Sequence, residues 1–112
     1  MSALKDRQIQ FMRDLPKLIE EAFILGYEVT AGELFRSKEQ QEIYIKTGRS
    51  KTMLSEHLNR CAVDLNLFKN GNLCTLEEIE PLGVFWESLG DGHVWGGRFK
   101  TLKDSPHFEL RD

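Results

Sequence analysis

The sequence predicts an α+β fold in which N-terminal helices pack on a small antiparallel sheet with one further helix inserted. Three observations predict it. Apolar residues recur at helical spacing over residues 4–25. Residues 62–68 and 106–110 alternate apolar and polar side chains, as half-buried strands do. Asn70-Gly71 follows the first of these segments and is a strong β-hairpin signal.

The N-terminal helix is expected to be kinked, or to form two short helices with the second beginning near Asp14, because Pro16 interrupts the apolar stripe. Gly26 provides a natural end to this helical region. Residues 27–31 then predict a short strand.

A second helix is predicted over residues 39–45, with Ser37 as its N-cap and Gly48 at its end. Residues 49–55 are polar and lack a clear period, which predicts a loop.

A third helix is expected after the hairpin. Thr75 and Glu78 fit a capping box, but Pro81 indicates that the main helix begins nearer Glu80. Gly90 would end it. The stretch that follows is expected to be irregular because it contains Gly92, Gly96 and Gly97.

The composition and charge of the chain exclude several classes of protein. The 112 residues predict one domain over the whole chain. The net charge of −3 argues against a general nucleic-acid binder, and no apolar run approaches the roughly 18 residues of a membrane span. Residues 1–10 are charged where a signal peptide needs an apolar core, so we expect synthesis in the cytoplasm without an export signal. Cys61 and Cys74 are expected to be buried free thiols.

Strand parity suggests a metal site. Asp64 alternates with the apolar Val63 and Leu65, and His107 precedes Phe108, so Asp64 and His107 are each expected on the non-core face of a strand. A sheet that joins these strands would place both side chains over one cleft. His57, on the turn before the first strand, could complete a set of three ligands.

Two imidazoles and one carboxylate are a common first shell for catalytic zinc. Zinc lowers the pKa of a bound water and polarises a carbonyl beside it. Such a site needs a carboxylate to accept and return a proton. Asp104, three residues before His107, is placed for that role.

Three motifs carry a family resemblance: Ser55-Glu56-His57, Ala62-Val63-Asp64 and Asp104-Ser105-Pro106-His107. In order and spacing they resemble the pattern of zinc D-Ala-D-Ala carboxypeptidases and L-alanyl-D-glutamate endopeptidases, the VanY-like and phage-endolysin-type peptidoglycan peptidases. The resemblance covers roughly residues 26–110, so we expect a single zinc peptidase domain over residues 1–112 with no separate cell-wall-binding domain. Further similarity lies in Phe35-Arg36-Ser37, Gln40-Gln41, and residues 82–86 and 95–99.

The resemblance implies a hedgehog/DD-peptidase-like fold in which zinc is held by His57, Asp64 and His107. It implies that Asp104 is the general base, and an aspartate at that position is similar to the endolysin-type endopeptidases. Arg36 would stabilise the oxyanion of the scissile carbonyl or bind a substrate carboxylate.

Other positions leave alternatives open. Ser55 either orients the site or substrate or is a turn hydroxyl, and Trp95 either walls the substrate groove or is a core aromatic. His93 either lines the cleft or has a non-ligand loop role. Arg60 stands where the family usually has glycine, so the turn after His57 is expected to differ. A local basic patch is either a solvated face or attracts the anionic wall polymer, and comprises Arg36, Lys38, Lys46, Arg49 and Lys51.

The resemblance therefore predicts a zinc-dependent peptidase that hydrolyses peptidoglycan stem peptides in the bacterial cell wall, as an L-alanyl-D-glutamate endopeptidase. D-Ala-D-Ala carboxypeptidase activity is one alternative. Another is a catalytically silent zinc-containing binding module, because the hedgehog signalling domain has this kind of fold. We expect a monomer whose partner is the stem peptide, without nucleic acid.

Overall fold

The computed structural model describes residues 3–50 and 55–112. These residues form three α-helices, five strands and a 3-10 turn at Gly96–Arg98. In chain order the elements are α1 (Leu4–Ile24), β1 (Glu28–Ala31), α2 (Lys38–Lys46), β2 (Ala62–Lys69), β3 (Asn72–Leu73), α3 (Leu76–Ser88), β4 (His93–Trp95) and β5 (His107–Leu110).

The sheet confirms the predicted α+β class. Its main path runs β1-β2-β5-β4, with β3 also paired to β2, and every pair is antiparallel. The predicted hairpin joins β2 to β3. Both of its turn residues are left-handed, with φ of 52° at Asn70 and 78° at Gly71, which is the backbone geometry of a type I′ turn.

Helix α1 is continuous through Pro16, so the predicted break into two helices is wrong. Pro16 lies on the exposed face of the helix, where water can replace the hydrogen bond that the Met12 carbonyl loses. The helix ends at Ile24, and Gly26 follows the C-cap residue Leu25 with a left-handed φ of 91°, as expected of a glycine that terminates a helix. The next amide, that of Tyr27, donates to the Ala22 carbonyl at 2.9 Å, which satisfies a carbonyl of the last turn.

Helix α2 begins and ends as its sequence predicts. The Ser37 hydroxyl accepts a hydrogen bond from the Gln40 amide at 3.1 Å, and Gly48 follows the helix with φ 78°. Residues 51–54 of the predicted loop lie outside the described residues.

Helix α3 begins at Leu76, five residues before Pro81, so the expected start near Glu80 is wrong. The capping box is complete. The Thr75 hydroxyl accepts from the Glu78 amide at 3.3 Å, and the Glu78 carboxylate accepts from the Thr75 amide at 2.8 Å. These two bonds satisfy donors of the first turn and fix the start ahead of the proline.

Strand β4 lies in the glycine-rich stretch that was expected to be irregular, so that expectation is wrong for residues 93–95. The strand has three residues and follows Gly92, whose φ is 86°. It is defined by its partner: His93 lies opposite Leu110 and Trp95 opposite Phe108 in β5. A segment this short has too few residues to show a period.

The core lies between the sheet and helices α1 and α3. Cys61 and Cys74 are buried free thiols, as predicted. No helix among the described residues is long and apolar enough to cross a membrane. The buried cluster comprises Phe11, Leu15, Leu18, Ala22, Tyr27, Val63, Leu65, Leu67, Cys74, Ile79, Leu82, Trp86, Trp95, Phe108 and Leu110.

Candidate metal centre

Side-chain atoms of His57, Asp64 and His107 form a nearly equilateral triangle. Nε2 of His57 lies 3.2 Å from Oδ1 of Asp64 and 3.1 Å from Nδ1 of His107. The third side, from Nδ1 of His107 to Oδ1 of Asp64, is 3.2 Å. The structure therefore brings together the three residues that the sequence predicted as ligands.

Sheet pairing positions two of these donors. Asp64 and His107 are directly opposite each other in the antiparallel pair of β2 and β5, so both side chains emerge on the same face. That face is opposite to the one that carries the buried Val63 and Phe108.

His57 reaches the site from the turn that precedes β2. Its Nδ1 donates to the Leu34 carbonyl at 2.9 Å, which leaves the Nε2 lone pair directed at the other two donors. The ring is 1% exposed. A buried imidazole held through one nitrogen presents the other in a defined direction.

Arg60 adopts φ 60° within this turn, the left-handed conformation that glycine favours. Arginine thus takes up a backbone conformation that glycine adopts without strain. Its amide donates to the His57 carbonyl at 3.3 Å, and its guanidinium lies 4.4 Å from the centre of the Phe35 ring. The cation–π contact offsets part of the backbone cost.

Glu109 is a site residue that sequence reasoning missed. Its Oε1 lies 2.5 Å from Nε2 of His107, and its Oε2 accepts from Nε of Arg111. The signal was present in the sequence, because residues i and i+2 of a strand share a face and the segment reads His-Phe-Glu.

The carboxylates around His107 favour positive charge. Burial would lower the pKa of His107, but hydrogen bonds to Asp64 and Glu109 and their negative charges raise it to about 9. Burial likewise opposes ionisation of Asp64, yet the adjacent imidazoles of His107 and His57, which stabilise the carboxylate by hydrogen bonds and charge when they are protonated, hold its pKa well below the usual range. The triangle is thus an environment suited to a cation.

The donor set fits zinc. Ligand atoms about 2.0–2.1 Å from a tetrahedral zinc lie about 3.3 Å from one another, close to the separations found here. Two imidazole nitrogens and one carboxylate oxygen are also the donor types of a catalytic zinc site. The three residues form a group that could hold a metal ion.

Asp104 lies beside the triangle. Its Oδ2 is 3.9 Å from Nδ1 of His107, and its side chain is 46% exposed. Its backbone is fixed, because its amide donates to the Gly96 carbonyl at 3.0 Å and its carbonyl accepts from the His107 amide at 3.1 Å. Burial and the negative charge of Asp64 raise the pKa of Asp104, against the opposing charges of the imidazoles and Arg36.

Arg36 belongs to a polar network near the site. Its Nε donates to Glu33 at 2.5 Å, and its Nη1 donates to Gln41 at 2.7 Å and to the Ser55 hydroxyl at 3.2 Å. That hydroxyl also accepts from the His57 amide at 3.3 Å. Ser55 therefore acts as a turn hydroxyl that links the Arg36 side chain to the His57 backbone.

A cleft of about 890 Å³ contains the site. Its lining includes the triangle of His57, Asp64 and His107 together with Asp104 and Ser55. Among the described residues, the cationic side chains of Arg36, Arg49, Lys103 and Arg111 also contribute to its walls.

The profile of the D-alanyl-D-alanine carboxypeptidase family matches residues 48–110. The chain belongs to this family. The matched range contains His57, Asp64, Asp104 and His107, whereas Arg36 lies ahead of it. The predicted family resemblance is confirmed.

Two similar proteins are named for one peptide bond. The L-alanyl-D-glutamate peptidase of Listeria phage A118 is 29% identical over 103 residues, covering 84% of this chain and 34% of that protein. The present chain therefore spans only about a third of the length of that phage protein. The crystal structure of the Serratia marcescens L-Ala D-Glu endopeptidase ChiX matches with a TM-score of 0.69 and 31% identity, covering 88% of this chain and 78% of that one.

Trp95 is not among the described residues that line the cleft, so of its two alternatives the structure favours a core aromatic over a wall of the substrate groove. The side chain is 1% exposed, and its Nε1 donates to the Ser105 carbonyl at 2.7 Å. Gly83 and Gly97 leave room for the indole, because a Cβ at either position would overlap the ring. Trp95 is a core residue that supports the segment carrying Asp104.

His93 also lies away from the described cleft lining. Its Nε2 is 2.7 Å from Oδ2 of Asp14 on α1, and its Nδ1 is 3.0 Å from the Gly90 carbonyl. Its ring packs edge-on against Trp86, with ring centres 4.8 Å apart. The non-ligand alternative for His93 is the one that the structure supports.

The residues of the predicted basic patch have different environments. Arg36 is paired with Glu33, whereas the guanidinium of Arg49 lies 4.8 Å from the centre of the Tyr44 ring and lines the cleft. Lys51 lies outside the described residues.

Proposed function

We propose that this chain is a zinc-dependent peptidase that hydrolyses peptidoglycan stem peptides between L-alanine and D-glutamate. The observation that carries the proposal is the triangle of His57, Asp64 and His107 with the Asp104 carboxylate beside it. The names of the phage and Serratia relatives support this choice of bond.

His57, Asp64 and His107 would hold the metal through Nε2, Oδ1 and Nδ1. When bound there, zinc supplies a Lewis acid that polarises a carbonyl and lowers the pKa of a water molecule. All three donors come from one chain, so we propose that the domain acts as a monomer.

Asp104 accepts the proton of the attacking water and later delivers it to the leaving amine. Peptide hydrolysis needs both transfers, since the water adds to the carbonyl carbon before the carbon–nitrogen bond breaks. The raised pKa of Asp104 suits a carboxylate that must hold a proton between the two events. Its exposure to the cleft leaves it accessible to substrate.

Arg36 donates to a substrate oxygen. Glu33, Gln41 and Ser55 occupy its Nε and Nη1, and among the described residues none bonds its Nη2. That nitrogen can donate to the scissile carbonyl oxygen as it gains negative charge, or to a stem-peptide carboxylate. The network fixes the guanidinium plane before substrate binds.

The cleft cations suit an anionic substrate. Stem peptides are rich in carboxylates, and Arg49, Lys103 and Arg111 line the walls around the triangle. We place the site of action in the bacterial cell wall, where this polymer occurs. Arg49, stacked on Tyr44, is a further donor for a substrate carboxylate.

A second candidate is D-Ala-D-Ala carboxypeptidase activity, which the description of the matching family favours. A silent zinc-binding module is the third alternative. Asp104 argues against silence, because a binding module needs no carboxylate at the position of the base.

Mass spectrometry of purified peptidoglycan after digestion with the zinc-loaded protein tests the proposal. Endopeptidase action gives glycan fragments ending in L-alanine and peptides with a new N-terminal D-glutamate. Release of free D-alanine would instead identify a carboxypeptidase. A protein that binds zinc but creates no new amino terminus in any wall type would be a binding module. His57→Ala is the matched inactive control.

A further inference from the structure

His107 has a carboxylate on each of its two ring nitrogens. Nδ1 is 3.2 Å from Asp64, and Nε2 is 2.5 Å from Glu109 on the opposite side of the ring. We propose that Glu109 is a positioning residue that keeps the proton of His107 on Nε2 and so presents the Nδ1 lone pair to the metal. This role rests on the proposed zinc site.

The hydrogen-bonding chemistry of Glu109 selects one tautomer. An ionised carboxylate can only accept, so the nitrogen that faces it must carry the proton. The neutral ring that a metal requires has one N–H, which leaves the lone pair on Nδ1. Nδ1 is also the atom of His107 that lies within 3.1–3.2 Å of the other two donor atoms.

His57 shows the opposite arrangement. Its Nδ1 is held by the Leu34 carbonyl, and its Nε2 points to the triangle. The two imidazoles therefore present different nitrogens, each selected by the partner of the other nitrogen. The partner of His107 carries a charge, whereas that of His57 is a neutral carbonyl, so Glu109 also makes His107 the stronger electron donor.

Glu109 is itself held in place. Arg111 donates to its second carboxylate oxygen, and the Trp86 indole donates to its backbone carbonyl at 2.9 Å. Its side chain is 6% exposed. The residues opposite it in the sheet are Ala62 in β2 and Val94 in β4, which offer no side-chain donor to compete with His107.

Arg111 links this contact to the cleft. Its side chain is 51% exposed, and its guanidinium lies 5.8 Å from the centre of the Phe99 ring. Both residues line the cleft. Arg111 neutralises the Glu109 carboxylate from the solvent side, so that a buried acid can face the metal ligand without an unpaired charge.

The test is the zinc affinity of Glu109→Ala and Glu109→Gln, measured by competition with a chelator. We expect about a 10- to 100-fold loss for Glu109→Ala, the usual range for an outer-shell partner of a metal-bound histidine. Glu109→Gln keeps an acceptor oxygen and should lose less. Glu87→Ala is the matched control, because Glu87 pairs with Arg98 on the surface and should leave the affinity unchanged.

Histidine-selective ¹⁵N NMR of the zinc-loaded proteins supplies a readout that loss of packing would not mimic. The wild type should show metal on Nδ1 of His107 and a strongly hydrogen-bonded proton on Nε2. Glu109→Ala should weaken that proton signal or move the metal to the other nitrogen in part of the sample. If Glu109→Ala does not fold, Glu109→Gln carries the same comparison with a weaker Nε2 proton signal and a smaller affinity loss.

Zinc affinity within threefold of the wild type in a folded Glu109→Ala, with unchanged NMR signals, would overturn the role of Glu109. If only Glu109→Gln folds, unchanged zinc affinity together with unchanged NMR signals would likewise overturn the role of Glu109. A wild type that binds no zinc would overturn both this role and the proposed function. A wild type that binds zinc without hydrolysing peptidoglycan, while the Glu109 variants lose affinity, would remove only the proposed function.

Discussion

Asp64 and His107 are cross-strand partners, and their side-chain atoms Oδ1 and Nδ1 lie 3.2 Å apart on the face of the sheet opposite the core. Backbone pairing of β2 with β5 therefore sets the separation of two candidate metal ligands. Only the third, His57, depends on a turn.

Substitution of His57, the candidate ligand on the turn before β2, should abolish zinc binding. We expect about one zinc per wild-type chain, as three protein ligands of a catalytic site predict, and little or none in His57→Ala. Elemental analysis after dialysis against zinc measures this. His93→Gln is the matched control, because His93 contacts Asp14 and lies away from the cleft lining. Equal zinc loss in both variants would contradict the assignment.

Asp104→Asn should separate metal binding from catalysis. Its side chain keeps the shape of the carboxylate but cannot accept a proton, so we expect full zinc content and about a 10²- to 10⁴-fold loss of peptidoglycan hydrolysis. Asp91→Asn, at an exposed position, should leave the rate unchanged. A rate for Asp104→Asn above a tenth of wild type would show that another group is the base.

Arg36→Lys should lower the rate although the charge is conserved. A lysine cannot bond Glu33 and Ser55 while presenting a further nitrogen to substrate, and loss of one oxyanion donor costs about 10²- to 10³-fold in kcat. Steady-state kinetics on a soluble stem-peptide fragment measures the loss. Arg98→Lys is the control, because Arg98 pairs with Glu87 and neither residue is among the described residues that line the cleft. Equal kinetics for both variants would exclude Arg36 from catalysis.

Asp14→Asn should destabilise the protein in a pH-dependent manner. Burial raises the pKa of Asp14, but hydrogen bonds from His93, Gln10 and Lys17 outweigh it, so the folded pKa lies below 3.8. The carboxylate therefore stabilises the fold fully above about pH 4 and progressively less as pH falls below that value. We expect a loss of about 1.5–3 kcal/mol at pH 7, the range for hydrogen bonds to charged groups.

Urea unfolding at pH 7 and pH 3 measures this difference between wild type and Asp14→Asn. The gap in the free energy of unfolding should shrink at pH 3. Asp91→Asn should show no gap at either pH, because Asp91 is exposed. A gap that grows on acidification would contradict the predicted sign.

Trp95→Phe should reduce both stability and rate. It removes the donor to the carbonyl of the half-buried Ser105, next to the proposed base, and loss of one hydrogen bond costs about 0.5–1.5 kcal/mol. Tyr27→Phe is the control, because it removes a hydrogen bond to the Glu78 carbonyl, and neither Tyr27 nor Glu78 is among the described residues that line the cleft. It should lower the unfolding free energy without lowering the rate; equal kinetics in the two variants would contradict a supporting role for Trp95.

The residues with local signals could be predicted from the sequence. Asp64 and His107 follow from strand alternation, and their joint site followed from the family motifs. The position of Trp95 could not be predicted, because a tryptophan between glycines suits either a groove or a core. The capping box at Thr75 was visible, yet the competing effect of Pro81 could be judged only from the complete pair of hydrogen bonds.

Features that depend on tertiary pairing were beyond local reasoning. Strand β4 exists through its register with β5, and three residues carry no period of their own. The left-handed backbone of Arg60 is accompanied by a contact with Phe35 from another segment, which local sequence reasoning does not reveal. Glu109 needed only the alternation rule, applied one step beyond His107.

Because Asp64 and His107 are paired across β2 and β5, one error in the register of these strands would disrupt both the fold and the candidate metal site. A slip of one residue between the strands would turn Asp64 towards the core and set Val63 against the cleft. An insertion of a single residue within β2 should therefore abolish metal binding and core packing together. Metal content could then serve as a measure of correct strand alignment in refolded protein, independent of any substrate.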